Sequence, residues 1–169
     1  LNEGYLPHLI GRNEKSLIEI SNQLNCSYSL ADVTNSDQLK DSLEDQGDDI
    51  VGLAYCVGSI NLKPISSAIE SDYIDSYKVN TLGAIIAIKN LKEKLKNNKG
   101  SILLFSSIAV QQGFVNHTIV STAKGALEGL TLSLAAELSP EIRVNCIAPS
   151  LTESKMSKNI IANDTIKKI

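Results

Sequence analysis

The chain has 169 residues, 43% hydrophobic and 21% charged, with a formal net charge of −3, which suits one globular unit large enough for a real core. That charge offers no attraction for nucleic acid or an anionic membrane, and no apolar run approaches the roughly 20 residues that span a bilayer. Cys26, Cys56, Cys146, His8 and His117 lack metal-ligand spacing, which argues against a zinc site; the three cysteines are expected as small buried hydrophobes in a reducing cytoplasm.

Strand and helix signals alternate along the chain. Leu6 to Ile10 is a short apolar run, preceded by Gly4, a residue type that often closes a helix. Asn13 to Gln23 predicts a helix with an Asn cap, and Ser27 to Leu30 a weak strand ending at Ala31-Asp32. Asp37 to Asp45 predicts a second helix, and Ile50 to Val57 a continuously apolar strand. A long helix is expected over Asp72 to Lys96 and a strand over Ser101 to Ser106. A second long helix runs from Val115 or Asn116 to Leu138 and is stopped by Pro140. Ile142 to Ile147 reads as a final β-rich segment, and the tail beyond Pro149 is polar.

Strands that are apolar throughout and separated by helices predict a parallel sheet covered on both faces. This is the three-layer, doubly wound α/β class of Rossmann-like folds. No linker or repeat divides residues 1–169, so a single domain is expected. The helix ending at Leu138 is apolar or small almost all round. A helix covering a sheet needs only one apolar stripe. It is therefore expected to pack on the sheet and also on a second subunit; burial within a single chain is the alternative.

Residues suited to chemistry gather where strands end. Arg12 follows the first strand, where a doubly wound fold receives the adenosine ribose. Its guanidinium matches a 2′-phosphate, which favours NADP over NAD, unless Arg12 is simply a solvated surface residue. Asp32 follows the next strand and either touches a cofactor or serves its turn. Gly58 follows the Ile50–Val57 strand, where a glycine lets a ligand approach the backbone.

The strand Ile102-Leu103-Leu104-Phe105 ends in Ser106-Ser107, and thirteen residues after Ser107 a helix carries Val120-Ser121-Thr122-Ala123-Lys124. Together with Val79-Asn80-Thr81-Leu82-Gly83 and the segment Arg143 to Thr152, this resembles the short-chain dehydrogenase/reductase family over nearly the whole chain. The resemblance implies that Ser107 hydrogen-bonds a substrate carbonyl and that Lys124 holds the nicotinamide ribose hydroxyls. It implies that Asn80 distorts its helix and supports a proton relay; without the resemblance Asn80 reads as a surface polar residue. It also implies an adenine contact from Asp32 and, beyond the turn set by Pro149, a nicotinamide amide or pyrophosphate contact from Thr152. A mobile substrate loop over Glu153 to Asp164 and a homodimer or homotetramer through helices 72–96 and 117–138 follow from the same source.

Two departures from the family pattern stand out. Ala54-Tyr55-Cys56-Val57-Gly58 keeps only the glycine of an Asn-Asn-Ala-Gly motif. Val120 occupies the position of the family's proton-donating tyrosine, and all five tyrosines lie outside this segment. His117, three residues earlier on the same helix face, is a candidate substitute acid.

The family's first strand with its Gly-rich phosphate turn, and its last strand, are absent from the sequence, which is expected to be an internal piece beginning at Leu1 rather than Met. Taken alone, such a piece is expected to bind a dinucleotide poorly. The absent strand belongs at the sheet's centre. Its two neighbours are expected to pair directly, to accept another chain, or to flank residues outside the sequence. The expected function is an NAD(P)-dependent oxidoreductase that moves a hydride to or from a carbonyl, alcohol or activated alkene in a small-molecule substrate. The alternative is a non-catalytic NAD(P)-binding scaffold or sensor.

Overall fold

The structure, a computed structural model, describes residues 4–154 and 157. Strand β1 (His8–Gly11) pairs in parallel with β2 (Ser27–Leu30), His8 opposite Ser27 and Gly11 opposite Leu30. Strands β3 (Gly52–Tyr55), β4 (Ser101–Phe105) and β5 (Arg143–Ile147) form a second parallel sheet with β4 in the middle. Helices flank both sheets, as continuously apolar strands require. Ile102 and Leu104 of central β4 are fully buried.

Direct pairing of the two edges does not occur: among the described residues no ladder joins β1 to β3. Helices connect the halves instead. Helix α1 (Glu14–Leu24) lies against β1 and β2, while α2 (Ser36–Glu44) packs on α4 (Gly83–Asn97). Val33, Leu39 and Leu43 thereby share one core with Ala87, Ile88, Leu91, Leu95, Ile102, Leu104 and Val144. Asparagines open the first two helices. Asn13 accepts a hydrogen bond from the Ser16 amide at 3.0 Å. Asn35 accepts from the Asp37 and Gln38 amides at 3.2 Å each, so α2 starts at Ser36 rather than Asp37.

The expected continuous helix over 72–96 is broken into three parts. Helix α3 (Glu70–Tyr77) passes into a π-helical turn (Lys78–Leu82) before α4 begins. The cause lies in Asn80. Its side-chain amide donates to the Ser76 carbonyl at 2.9 Å, a carbonyl that a regular helix would give to a backbone amide. The Gly83 amide reaches back five residues, to Lys78. Asn80 is 0% exposed, so the reading of it as a surface polar residue is corrected.

A single helical turn, α5 (Ala109–Gln112), was not anticipated by sequence pattern. The second long helix, α6 (Thr118–Glu137), starts later than the expected 115 or 116 because Asn116 adopts a left-handed backbone with φ 66°. The cysteines also depart from expectation: Cys56 is exposed just past the end of β3, and Cys26 and Cys146 are half-buried. No helix among the described residues is long and apolar enough to cross a membrane.

One polar cluster ties the smaller sheet to α2. The Gln46 side-chain amide donates to the Ser42 carbonyl at 2.9 Å, which fixes its orientation, and donates also to His8 Nε2 at 3.0 Å. His8 Nε2 must therefore accept, and Nδ1 carries the proton it gives to Ser27 Oγ at 2.7 Å. Burial lowers the His8 pKa below its usual 6.5. The folded state thus binds fewer protons than the unfolded chain, and His8 contributes stability that is intact above about pH 6.5 and lost as pH falls through the lowered value. The midpoint of thermal unfolding is expected to drop between pH 7.5 and 5.5 more steeply in the wild type than in His8→Gln. Identical slopes would remove His8 from the account.

Candidate functional site

Helix α6 turns Ile119, Val120, Ala123 and Leu127 into the interior, and Lys124 follows the same face with 8% exposure. Its Nζ donates to the Phe105 carbonyl, the last residue of β4, at 2.7 Å. Burial lowers its pKa, with Cys146 and Cys56 acting in the opposite sense. The ion pairs among the described residues join Arg12 to Asp32, Lys40 to Asp37, Lys63 to Asp72 and Lys78 to Asp75; Lys124 takes part in none. An ammonium has more N–H donors than one carbonyl consumes. A buried one without a carboxylate partner favours any oxygen-rich group that reaches it.

Gly58 lies directly alongside. A Cβ at residue 58 would stand 3.0 Å from Asn80 Oδ1 and 3.3 Å from Lys124 Nζ, so only glycine leaves the backbone open towards both. Asn80 Oδ1 accepts from the Ser59 amide at 3.2 Å, and Nδ2 donates to Ser59 Oγ at 3.1 Å. Thr81 Oγ1 donates to the Ala123 carbonyl at 2.7 Å and pins the π-helical turn to α6 beside Lys124. Ser59, Ser76 and Thr81 escaped the sequence reading. Scattered hydroxyl residues carry no spacing signal until the helix distortion around Asn80 is known.

Ser107 is half-buried two residues beyond the carbonyl that holds Lys124. Its Oγ accepts from the Ala109 amide at 3.2 Å, which leaves the hydroxyl proton available for another acceptor. Val120 is buried one turn before Lys124. His117 is the residue just before α6, and its side chain makes no capping bond to the helix. Its Nδ1 donates to the Val115 carbonyl at 2.8 Å, and its ring meets Phe114 edge-on with centroids 5.4 Å apart. These contacts are with its own loop, not with Ser107 or Lys124. With Nδ1–H committed, the ring gives up a proton from Nε2 only as imidazolium.

Arg12 and Asp32 form a second group at the carboxyl ends of β1 and β2, 3.8 Å apart, with the Arg12 side chain 78% exposed. Asp32 accepts from the Thr34 amide at 2.9 Å and its hydroxyl at 2.7 Å, which with Arg12 hold its carboxyl below the usual range. Pro149 accepts from the Ile108 amide at 3.2 Å, joining the loop after β5 to the exit of β4. Thr152 is exposed and donates to the Ser150 carbonyl at 3.0 Å. The structure thus gathers Ser107, Lys124, Asn80, Gly58 and Pro149 at the carboxyl ends of β3 to β5. Arg12 and Asp32 sit at the same ends of the other sheet, and Thr152 and His117 lie in flanking loops. The expected substrate loop over Glu153 to Asp164 falls largely outside the described residues.

A family model described as enoyl-(acyl carrier protein) reductase matches residues 5–169. Dehydrogenase/reductase SDR family member 6 of Aquarana catesbeiana is 32% identical over 145 residues, 84% of this chain and 59% of that protein. L-2,3-butanediol dehydrogenase of Corynebacterium glutamicum is 31% identical over 152 residues, 86% of this chain and 58% of that one. The chain spans about half the length of the curated relatives it matches. A gluconate 5-dehydrogenase from Burkholderia cenocepacia, solved with NADP and tartrate, superposes with a TM-score of 0.89 at 17% identity. The match covers 98% of this chain and 69% of that one and shares the fold. Strand ends, helix distortion and family match agree: the chain belongs to the short-chain dehydrogenase/reductase family.

Proposed function

We propose that the protein is an NAD(P)-dependent oxidoreductase that interconverts a carbonyl and an alcohol, or reduces an activated alkene, with NADP as the preferred cofactor. The observation that carries this reading is the Lys124 ammonium, buried at a strand's carboxyl end beside the open backbone of Gly58. A ribose fits that donor set: its hydroxyls would take the N–H groups that Phe105 leaves free. When bound, a nicotinamide supplies or accepts the hydride. Lys124 then holds the ribose, Asn80 anchors the wall behind Gly58 and serves the proton relay, and Ser107 donates its free hydroxyl proton to the substrate oxygen. Thr152, on the turn set by Pro149, would hold the nicotinamide amide or the pyrophosphate, and Asp32 would contact the adenine. The exposed guanidinium of Arg12 has room for a 2′-phosphate beyond its long contact with Asp32. The NADP in the gluconate 5-dehydrogenase relative supports the same preference. His117, as imidazolium, is the proposed proton donor in place of a tyrosine.

Self-association across α4 and α6 as a homodimer or homotetramer is part of the same proposal; Leu132 on α6, 75% exposed, is an apolar side chain available to such a contact. The buried Val120 favours a second reading, a dinucleotide-binding scaffold without turnover. A screen of aldehydes, ketones and enones with NADPH separates the two. Turnover that falls about 10²-fold in Ser107→Ala supports the enzyme. Saturable cofactor binding with no substrate reduced supports the scaffold.

A further inference from the structure

We infer that Glu128 is a positioning residue for Ser107 and acts through Ser106, an assignment that rests on the catalytic reading of Ser107. Ser121, Lys124 and Glu128 follow one another at helical spacing on α6, and all three reach the segment that leaves β4. Ser121 Oγ donates to the Ala109 carbonyl at 3.2 Å, and Lys124 Nζ to the Phe105 carbonyl at 2.7 Å. Ser106 Oγ donates to Glu128 Oε1 at 2.5 Å. The helix therefore grips residues 105, 106 and 109, with Ser107 between them.

The Ser106–Glu128 bond is the strongest type in this set, a hydroxyl on a carboxylate at short range. Ser106 is 4% exposed and its amide donates to the Ile147 carbonyl at 2.8 Å, so backbone and side chain are both fixed. Glu128 belongs to none of the ion pairs among the described residues. Holding residue 106 on both counts sets the direction in which the chain leaves the strand, and hence where the Ser107 hydroxyl points. Without Glu128, a buried hydroxyl loses its acceptor, and the cheapest relief is for residues 106–109 to shift.

The test compares wild type, Glu128→Ala, Glu128→Gln, Ser106→Ala and the double variant Ser106→Ala/Glu128→Ala in the intact protein. Amide hydrogen exchange is read at Ala109, whose N–H bonds the Ser107 hydroxyl, and at Val110, whose N–H bonds the Ser107 carbonyl. Glu128→Ala and Ser106→Ala are each expected to speed exchange there about tenfold. The double variant is expected to be no faster than either single one, and Glu128→Gln, which keeps an acceptor, to stay near wild type. Turnover should fall in kcat with the cofactor KM unchanged. Unaltered exchange at Ala109 in Glu128→Ala, or additive effects in the double variant, would overturn the assignment; should Glu128→Ala not fold, Ser106→Ala decides on the same readout. Exchange needs no turnover, so a wild type that reduces no carbonyl would count against the proposed reaction and leave this coupling separately readable.

Discussion

In a His117→Ala background, where the proposed substitute acid is removed, Val120→Tyr is expected to raise carbonyl turnover by about 10²- to 10⁴-fold, the usual worth of a well-placed proton donor. Val120 lies one helical turn before Lys124 on the face of α6 that meets the end of β4, and it is 5% exposed. A phenol there would have the Lys124 ammonium beside it, and a neighbouring positive charge lowers a phenol's pKa towards the range in which it exchanges protons at neutral pH. Ser107, with its hydroxyl proton uncommitted, would still orient the substrate oxygen. The larger ring costs roughly 1–3 kcal/mol if it must crowd the core, so unfolding midpoints are measured alongside. A folded variant that shows no gain with any carbonyl substrate would mean that proton delivery is not what Val120 removes.

Asn80→Ala is expected to destabilise the fold by at least about 2 kcal/mol. The side chain is fully buried and satisfies both an amide donor at Ser59 and acceptors at Ser59 and Ser76. Leaving those groups unpaired in the interior costs about 1–3 kcal/mol each, and the better helix propensity of alanine returns only about 0.7 kcal/mol. The substitution also removes the competitor for the Ser76 carbonyl. The π-helical turn should then relax towards regular helix and move Thr81 off the Ala123 carbonyl. Denaturant titration gives the magnitude; a change below about 0.5 kcal/mol would show that the distortion has another origin.

The parallel α/β architecture was legible because Ile50 to Val57 and Ile102 to Phe105 are apolar on both faces, a pattern that demands cover on both sides. Helix starts were legible where an asparagine caps them, as at Asn13. The break in the long helix was legible only through the family resemblance, because one asparagine in a helical window does not disclose whether its amide turns inward to a carbonyl. The late start of α6 depended on a left-handed Asn116, a backbone choice that composition does not encode. Lys124 and Ser107 were picked out by the family resemblance, but the Ser106–Glu128 bond could not be. Two residues far apart in sequence had to be placed by packing before their meeting meant anything.

The central claim is that the Lys124 ammonium holds a nicotinamide cofactor, and fluorescence titration of the intact protein with NADPH and NADH tests it most directly. Wild type should bind NADPH saturably and more tightly than NADH, and Lys124→Met, which keeps the packing stem but removes the charge, should lose at least about tenfold in affinity while remaining folded. Equal affinity in wild type and Lys124→Met would contradict the account.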